Sequence, residues 1–304
     1  MRTTGVSRVR LLAIKAIRFS RFRIPVACLA AIPVVACGGG MIEASDSLRI
    51  NGSTTVNLVA AEAAERLRAE QGMRILVDTQ GGSSGGIAML GEGRAEIGMS
   101  SKALKESDRA KYPGVDFVAH RIGEDAVALV VSADVWESGV RSISREDMRA
   151  VYEGRVTNWK ALGGADQRIA FFNKEPGRGT WEVFAKWLYG SSKEAPSVSF
   201  PEVGGNEETR NKVSSTLGAL SQLSYSWADG AKAFPLALMQ GDVLVAPSPV
   251  TIAAGTYPMS RPLFLLTDGL PTANTKSFVE FVLSPPGQEL VRKHGYLALD
   301  DLAR

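Results

Sequence analysis

Apolar positions near the start of the folded region switch between two periods. Leu48-Arg49-Ile50-Asn51 predicts a short strand, and Gly52-Ser53-Thr54-Thr55 follows with turn and helix-capping residues. Val56, Leu58, Val59, Ala63 and Leu67 then recur at helical spacing, which predicts a helix over 56–70. Ile75-Leu76-Val77 predicts a second strand. Residues 81–86 read as a glycine-rich loop, followed by a helix through Ile87, Met89 and Leu90. Ile97-Gly98-Met99-Ser100 predicts a third strand. The order β-α-β-α-β implies a mostly parallel sheet.

The same order recurs downstream. Residues 115–119 read as a connection leading to His120 and Arg121, and 126–132 as a Val-rich buried strand. Ser144 as N-cap, with Asp147 three residues on, opens a helix over 144–152. A strand over 169–172 leads through Asn173-Lys174-Glu175-Pro176-Gly177-Arg178-Gly179-Thr180 into an amphipathic helix over 181–189. Further helices are predicted over 206–217, 275–283 and 287–293, and strands over 243–245 and 264–266. Two α/β units with strands on either side of the middle predict two lobes that exchange strands.

Composition narrows the class. The 304 residues are 45% hydrophobic and 22% charged, ordinary globular values that exclude disorder, collagen-like repeats and coiled coil. The net charge of +3 needs dividing. Seven of the 35 Lys and Arg residues fall within 1–36, which hold no acid, leaving 28 against 32 Asp and Glu. The basic surplus therefore belongs to the N-terminus, and a nucleic-acid-binding surface loses its support.

That N-terminus reads as an address. A basic stretch precedes 13 largely apolar residues, 24–36, interrupted by Pro25 and Pro33. A bilayer span needs about 20, so a secretory signal over 1–36 fits better. Val34-Val35-Ala36-Cys37 resembles a bacterial lipobox, in which Cys37 carries the lipid, and 37–46 form a flexible tether. Plain secretion is the alternative. Cys28 lies inside the signal, so the mature chain keeps no thiol for a disulfide or a metal.

Candidate chemistry concentrates in three strand-to-helix turns, 52–55, 82–86 and 177–180. Each puts glycines or hydroxyl residues where a helix begins, with unpaired N–H groups and the positive end of the macrodipole. Such ends bind anions, and Lys174 and Arg178 stand beside the third. An oxyanion is the natural ligand. No Gly-Lys-Ser/Thr ending marks a nucleotide loop. Gly81-Gly82-Ser83-Ser84-Gly85 also matches the nucleophile elbow of a serine hydrolase, with Ser83 as nucleophile. That reading needs a histidine, and the chain has only His120 and His294. No paired carboxylates or metal-ligand spacing stand out, so neither metal nor cofactor is expected.

With these turns, several motifs resemble the PstS family of phosphate-binding proteins of bacterial phosphate ABC transporters. They include Asn51-Gly52-Ser53-Thr54-Thr55-Val56, Ala95-Glu96-Ile97-Gly98-Met99-Ser100-Ser101, Thr157-Asn158-Trp159-Lys160 and Gly255-Thr256-Tyr257-Pro258-Met259-Ser260-Arg261-Pro262. The resemblance runs from about residue 47 to 300. It implies an α/β, two-lobe periplasmic binding protein of type II, each lobe a mostly parallel sheet flanked by helices, with the ligand cleft between them. The expected lobes are 47–125 with 240–304, and 126–239. The implied phosphate shell is Thr54, Thr55, Ser83, Ser101 and the loop with Lys174, Arg178, Gly179 and Thr180, with Ser53 beside the first turn.

Three positions depart from the familiar pattern. Lys174 stands for an Arg, Arg178 for a Ser, and Ser101 and Pro176 for the Asp that in some members accepts the proton of hydrogen phosphate. The resemblance further implies a monomer in the periplasm or at the cell surface, lipid-anchored, that performs no reaction and delivers phosphate to an inner-membrane permease. A binding protein or sensor for another oxyanion, such as sulfate or arsenate, is the alternative. Trp159 reads as a core anchor. Tyr257 and Arg261 read equally well as a packed turn with an exposed charge.

Overall fold

The computed structural model describes residues 47–228, 230 and 232–302. The expected signal over 1–36, the tether over 37–46 and the lipidated Cys37 lie outside the described residues.

β1 (Leu48–Gly52) buries Leu48 and Ile50 and exposes Arg49. α1 (Asn57–Gln71) buries Val59, Ala60, Ala63, Ala64 and Leu67, one stripe at helical spacing. β2 (Ile75–Asp78) pairs with β1 in parallel. α2 (Gly82–Gly91) then leads into β3 (Ile97–Ser100), which pairs in parallel with the other side of β1. The glycine tract is the opening of α2, rather than a loop in front of it. A Cβ on Gly86 would stand 2.7 Å from the Asn51 carbonyl oxygen and 2.8 Å from that of Met99. α2 rests directly on the ends of β1 and β3, and only glycine permits that approach.

After α3 (Glu106–Lys111) comes β4 (Phe117–Val131), a strand of 15 residues. It absorbs the segment expected as a connection, including His120 and Arg121. The chain continues through α4 (Ala133–Glu137), β5 (Ser142–Ser144), α5 (Arg145–Tyr152), β6 (Ala170–Lys174), α6 (Gly179–Tyr189), β7 (Glu202–Val203), α7 (Asn206–Ser215) and β8 (Ala219–Ser224). Ser144 caps α5 as its sequence implies, accepting from the Asp147 N–H at 2.9 Å. β9 (Phe234–Pro235), β10 (Ala237–Gln240), β11 (Val243–Val245) and α8 (Pro249–Ala253) precede β12 (Ser260–Asp268). α9 (Ala273–Leu283), α10 (Pro285–Lys293) and α11 (Leu299–Leu302) close the described chain.

The principal sheet runs β2-β1-β3-β12-β4-β8-β6-β7. β1, β2 and β3 are mutually parallel, and β6 is parallel to both β7 and β8. β12 is antiparallel to β3 and β4, and β4 to β8. The sheet is therefore mixed, where the β-α-β order alone implied a mostly parallel one. The cause is the return path. β4 carries the chain from one half to the other, and β12 brings it back alongside in the opposite direction.

Two cores flank this crossing. Leu48, Ile50, Leu67, Ile97, Leu265 and Phe278 belong to the first. Val127, Leu129, Tyr152, Trp159, Phe171 and Phe184 belong to the second. Trp159 is fully buried there and donates its indole N–H to the Gly218 carbonyl at 2.9 Å, a core anchor as its sequence implies. Val245, Ile252, Tyr257 and Met259 also pack in the second core, so 240–259 lie with it, past the boundary expected at 239. β10 pairing with β5 and β11 with β10 explains why.

The close approach at Gly86 is testable. Gly86→Ala should destabilise the fold by about 2 kcal/mol through overpacking against backbone that cannot move aside. Urea denaturation would measure it, and unchanged stability would contradict the packing described.

Candidate functional site

The three turns meet. Ser53, Thr54 and Thr55 follow β1, Ser83 opens α2, Ser101 follows β3, and Lys174, Arg178, Gly179 and Thr180 come from the end of β6 and the start of α6. All nine line one small cavity. Gly82, Gly204 and Asn206 complete its wall.

Local sequence explains each position. Ser53 is buried and its Oγ accepts from the Thr55 N–H at 3.2 Å, which tightens the turn ahead of α1. Its hydroxyl donates to Ser101 Oγ at 2.9 Å. Ser83 Oγ accepts from the Ser101 N–H at 3.1 Å and lies 3.3 Å from Ser101 Oγ. Gly179 is the close-approach residue from the other half. A Cβ there would stand 2.5 Å from Ser101 Oγ and 2.8 Å from Ser83 Oγ. The N-terminus of α6 is thus pressed against the turns of the first half.

Arg261 is the largest surprise. It is 1% exposed, so the packed turn with an exposed charge is corrected to a buried guanidinium on β12. Its strand partner in register is Asp125 on β4, 2% exposed. Arg261 Nε and Nη2 donate to Asp125 Oδ2 at 3.1 and 2.8 Å, and the Ser224 hydroxyl donates to the same oxygen at 2.8 Å. The remaining donors go into the site. Nη2 reaches Thr55 Oγ1 at 3.1 Å, and Nη1 reaches Thr180 Oγ1 at 3.0 Å and Ser101 Oγ at 3.3 Å. One buried cation therefore holds a hydroxyl from the turn after β1, one from the segment after β3 and one from the start of α6. Tyr257, in the same motif, is buried and donates to the Val127 carbonyl at 3.0 Å.

Asp125, Asn206 and Arg261 were not among the expected site residues. A signal existed for Asp125, a charge immediately before the apolar run 126–131 in what proves to be one strand. Asn206 had none beyond opening a helix. It donates from Nδ2 to Thr55 Oγ1 at 3.0 Å.

The two other cations differ in role. Lys174 is buried, and its ammonium donates to the carbonyls of Gly204 at 2.9 Å and Gly205 at 2.8 Å and to Thr209 Oγ1. An ammonium has three protons, so all are used, and Lys174 offers the cavity charge without a hydrogen bond. Burial pushes its pKa well below the usual lysine value, with Arg178 and Arg261 pushing the same way and Glu208 and Glu175 opposing. A negative ion in the cavity would also oppose that push. Arg178 turns one edge to Glu175, with Nε and Nη2 donating to Oε2 at 2.8 and 2.6 Å. Its Nη1 is buried with no partner among the described residues, and the side chain lies over Gly82 at the cavity wall.

Further bonds join the halves. Lys102 Nζ donates to Glu182 Oε1 at 2.5 Å and to Ser84 Oγ at 3.0 Å, and Lys105 pairs with the other Glu182 oxygen. Lys102 and Lys105 follow β3, whereas Glu182 lies on α6. Among the described residues neither histidine touches Ser83: His120 Nε2 bonds Thr267 Oγ1 and His294 Nε2 bonds Glu62.

The model of the PBP superfamily domain matches residues 41–286. The chain belongs to the PBP superfamily. Within it, the PstS resemblance read from the motifs is shared by curated relatives. The phosphate-binding protein PstS of Bacillus subtilis is 28% identical over 267 residues, covering 86% of this chain and 84% of the relative. That of Pseudomonas aeruginosa is 26% identical, covering 82% of each. Among solved structures, a phosphate ABC transporter substrate-binding protein from Clostridium perfringens with bound phosphate superposes with a TM-score of 0.73 at 28% identity. The match covers 83% of this chain and 99% of that one. An ABC-type phosphate transport receptor from Vibrio cholerae gives 0.64 at 27% identity, over 82% and 99%. The two-core α/β architecture described above is that of these PBP superfamily structures.

Breaking the buried pair tests its weight. Asp125→Ala leaves Arg261 charged and uncompensated, which should cost about 3–5 kcal/mol of stability. Chemical denaturation would read it, and a loss under about 1 kcal/mol would show that Arg261 finds other compensation.

Proposed function

We propose that this protein binds inorganic phosphate in the cavity between its two halves and delivers it to the permease of an ABC transporter. It performs no reaction on the ion. The observation that carries this reading is the buried Nη1 of Arg178, without a protein partner, at the wall of a cavity lined by hydroxyls and two helix starts. A tetrahedral oxyanion supplies the acceptors that such a site lacks. The relatives' function, phosphate binding, fits the same chemistry. The serine hydrolase reading loses its base, since both histidines are bonded elsewhere.

Ser53, Thr54, Thr55, Ser83, Ser101, Arg178, Gly179 and Thr180 form the proposed ligand shell, with Lys174 contributing charge. Arg178 takes the part of bidentate donor that Lys174 cannot. Residues 47–125 and 126–239 contribute the two walls. The lipobox-like 34–37 supports lipidation at Cys37, which would hold the protein to the membrane in the periplasm or at the cell surface.

Titration calorimetry tests the binding. Phosphate should bind saturably without turnover. Ser83→Ala removes one hydrogen bond to a charged partner, about 1.5–3 kcal/mol, so affinity should fall by roughly 10- to 150-fold. Arg178→Ser should cost about 2 kcal/mol or more. Unchanged affinity in both variants would remove the site assignment.

The anchor is tested separately. Cys37→Ala should yield uncleaved or released protein on membrane fractionation. Full membrane retention of a processed Cys37→Ala protein would overturn lipidation at this residue.

A further inference from the structure

Among the described residues no Asp or Glu lines the cavity. The nearby carboxylates each have one oxygen held elsewhere. Glu175 Oε2 accepts from Arg178, Glu208 Oε2 accepts from the Gly204 N–H at 2.9 Å, and Asp125 Oδ2 accepts from Arg261 and Ser224.

Two of the lining hydroxyls are not free to act as acceptors either, because a hydroxyl has two lone pairs and one proton. Thr55 Oγ1 accepts from Arg261 Nη2 and from Asn206 Nδ2, so it can only donate. Ser101 Oγ accepts from the Ser53 hydroxyl and from Arg261 Nη1, so it too can only donate. If that proton goes to Ser83 Oγ, which already accepts from the Ser101 N–H, then Ser83 is left as the donor. The relay therefore ends in a proton aimed at the cavity by either route. Thr180 Oγ1 accepts once from Arg261 and keeps one lone pair, and among the described residues nothing donates to the Thr54 hydroxyl or to Asn206 Oδ1, so the side-chain acceptors left in the lining are all neutral.

We infer that this cavity recognises a tetrahedral dianion through hydrogen-bond donors, two of them fixed in that role by Arg261, and through neutral acceptors only, and so takes sulfate about as well as phosphate. The inference rests on the oxyanion reading of the same site. Sulfate carries no proton and meets no charged acceptor. Hydrogen phosphate carries one, for which Thr180 is a neutral partner. Dihydrogen phosphate carries a single negative charge, so it gains less than a dianion from Arg178, Arg261 and the helix starts, which costs affinity. Charge on Lys174, Arg178, Arg261, Asp125, Glu175 and Glu208 surrounds the cavity and acts on both dianions alike, so it cancels in their ratio.

Calorimetric titration of the protein with phosphate and with sulfate tests this, at about pH 5.5 and about pH 8, on either side of the second phosphate ionisation. At the higher pH the two affinities should agree within about thirtyfold. At the lower pH phosphate should lose at least about fivefold relative to sulfate. A larger preference for phosphate at the higher pH would overturn the inference, as would a phosphate-to-sulfate ratio that does not fall at the lower pH. Sulfate binding without phosphate binding would sink the phosphate reading and leave the oxyanion site without a charged acceptor standing; binding of neither would sink both. Ser101→Asp places a charged acceptor in the wall. It should lower sulfate affinity at least about a hundredfold more than phosphate affinity, and an equal loss of both would count against the inference. Should that variant fail to fold, the wild-type ratios decide.

Discussion

The Asp125–Arg261 pair is the constraint around which the molecule is arranged. It lies where β4 and β12 pass each other between the two cores, in cross-strand register and out of contact with water. A guanidinium in that position demands compensation, because an isolated buried charge is far too costly. Asp125 supplies the counter-charge and leaves the rest of the fork free. Those donors point to Thr55, Ser101 and Thr180, hydroxyls that follow β1, follow β3 and open α6. The strand crossing that makes the sheet mixed is thus also what brings a fixed cation beneath the site.

Closure depends on the absence of side chains as much as on their presence. Gly86 lets α2 rest on the ends of β1 and β3, and Gly179 lets α6 press on Ser83 and Ser101. Two helix starts converge on one small volume only because nothing stands between them. Around that contact, Lys102 and Lys105 from one half share Glu182 from the other. Lys102 and Glu182 are both largely buried, so water screens this pair far less than it would on the surface.

The three cations near the cavity are divided by what they already bond. Lys174 spends its protons on the carbonyls of Gly204 and Gly205 and the Thr209 hydroxyl, which ties β6 to the start of α7. Arg261 spends its donors on Asp125 and the hydroxyls. Of the three, Arg178 keeps a buried nitrogen, Nη1, with no partner among the described residues. Its carboxylate, Glu175, holds only one edge of the guanidinium. A planar fork can serve two partners at once, where a lysine ammonium at the same position would offer a point charge.

Much of this was legible in the chain. The strands at 48 and 97, the helix at 57, the capped helix at 145 and the three small-residue turns follow from period, capping and turn chemistry, which act over a few neighbouring residues. Those rules placed the three turns, the PstS resemblance implied the nine-residue shell including Ser101, and the fold gathers these nine around one cavity. Local rules could not place Asp125 and Arg261, 136 positions apart. An Asp before a Val-rich run reads as a strand end, and an Arg in a Pro-flanked turn reads as a surface charge. Only the antiparallel crossing puts them face to face. The same holds for the placement of 240–259 with the second core, set by the pairing of β10 with β5. Sequence determined which short segments form and where donors lie along them. Tertiary structure decided which way each donor points, because a hydroxyl's role depends on the partners that occupy its lone pairs, and here those come from distant parts of the chain.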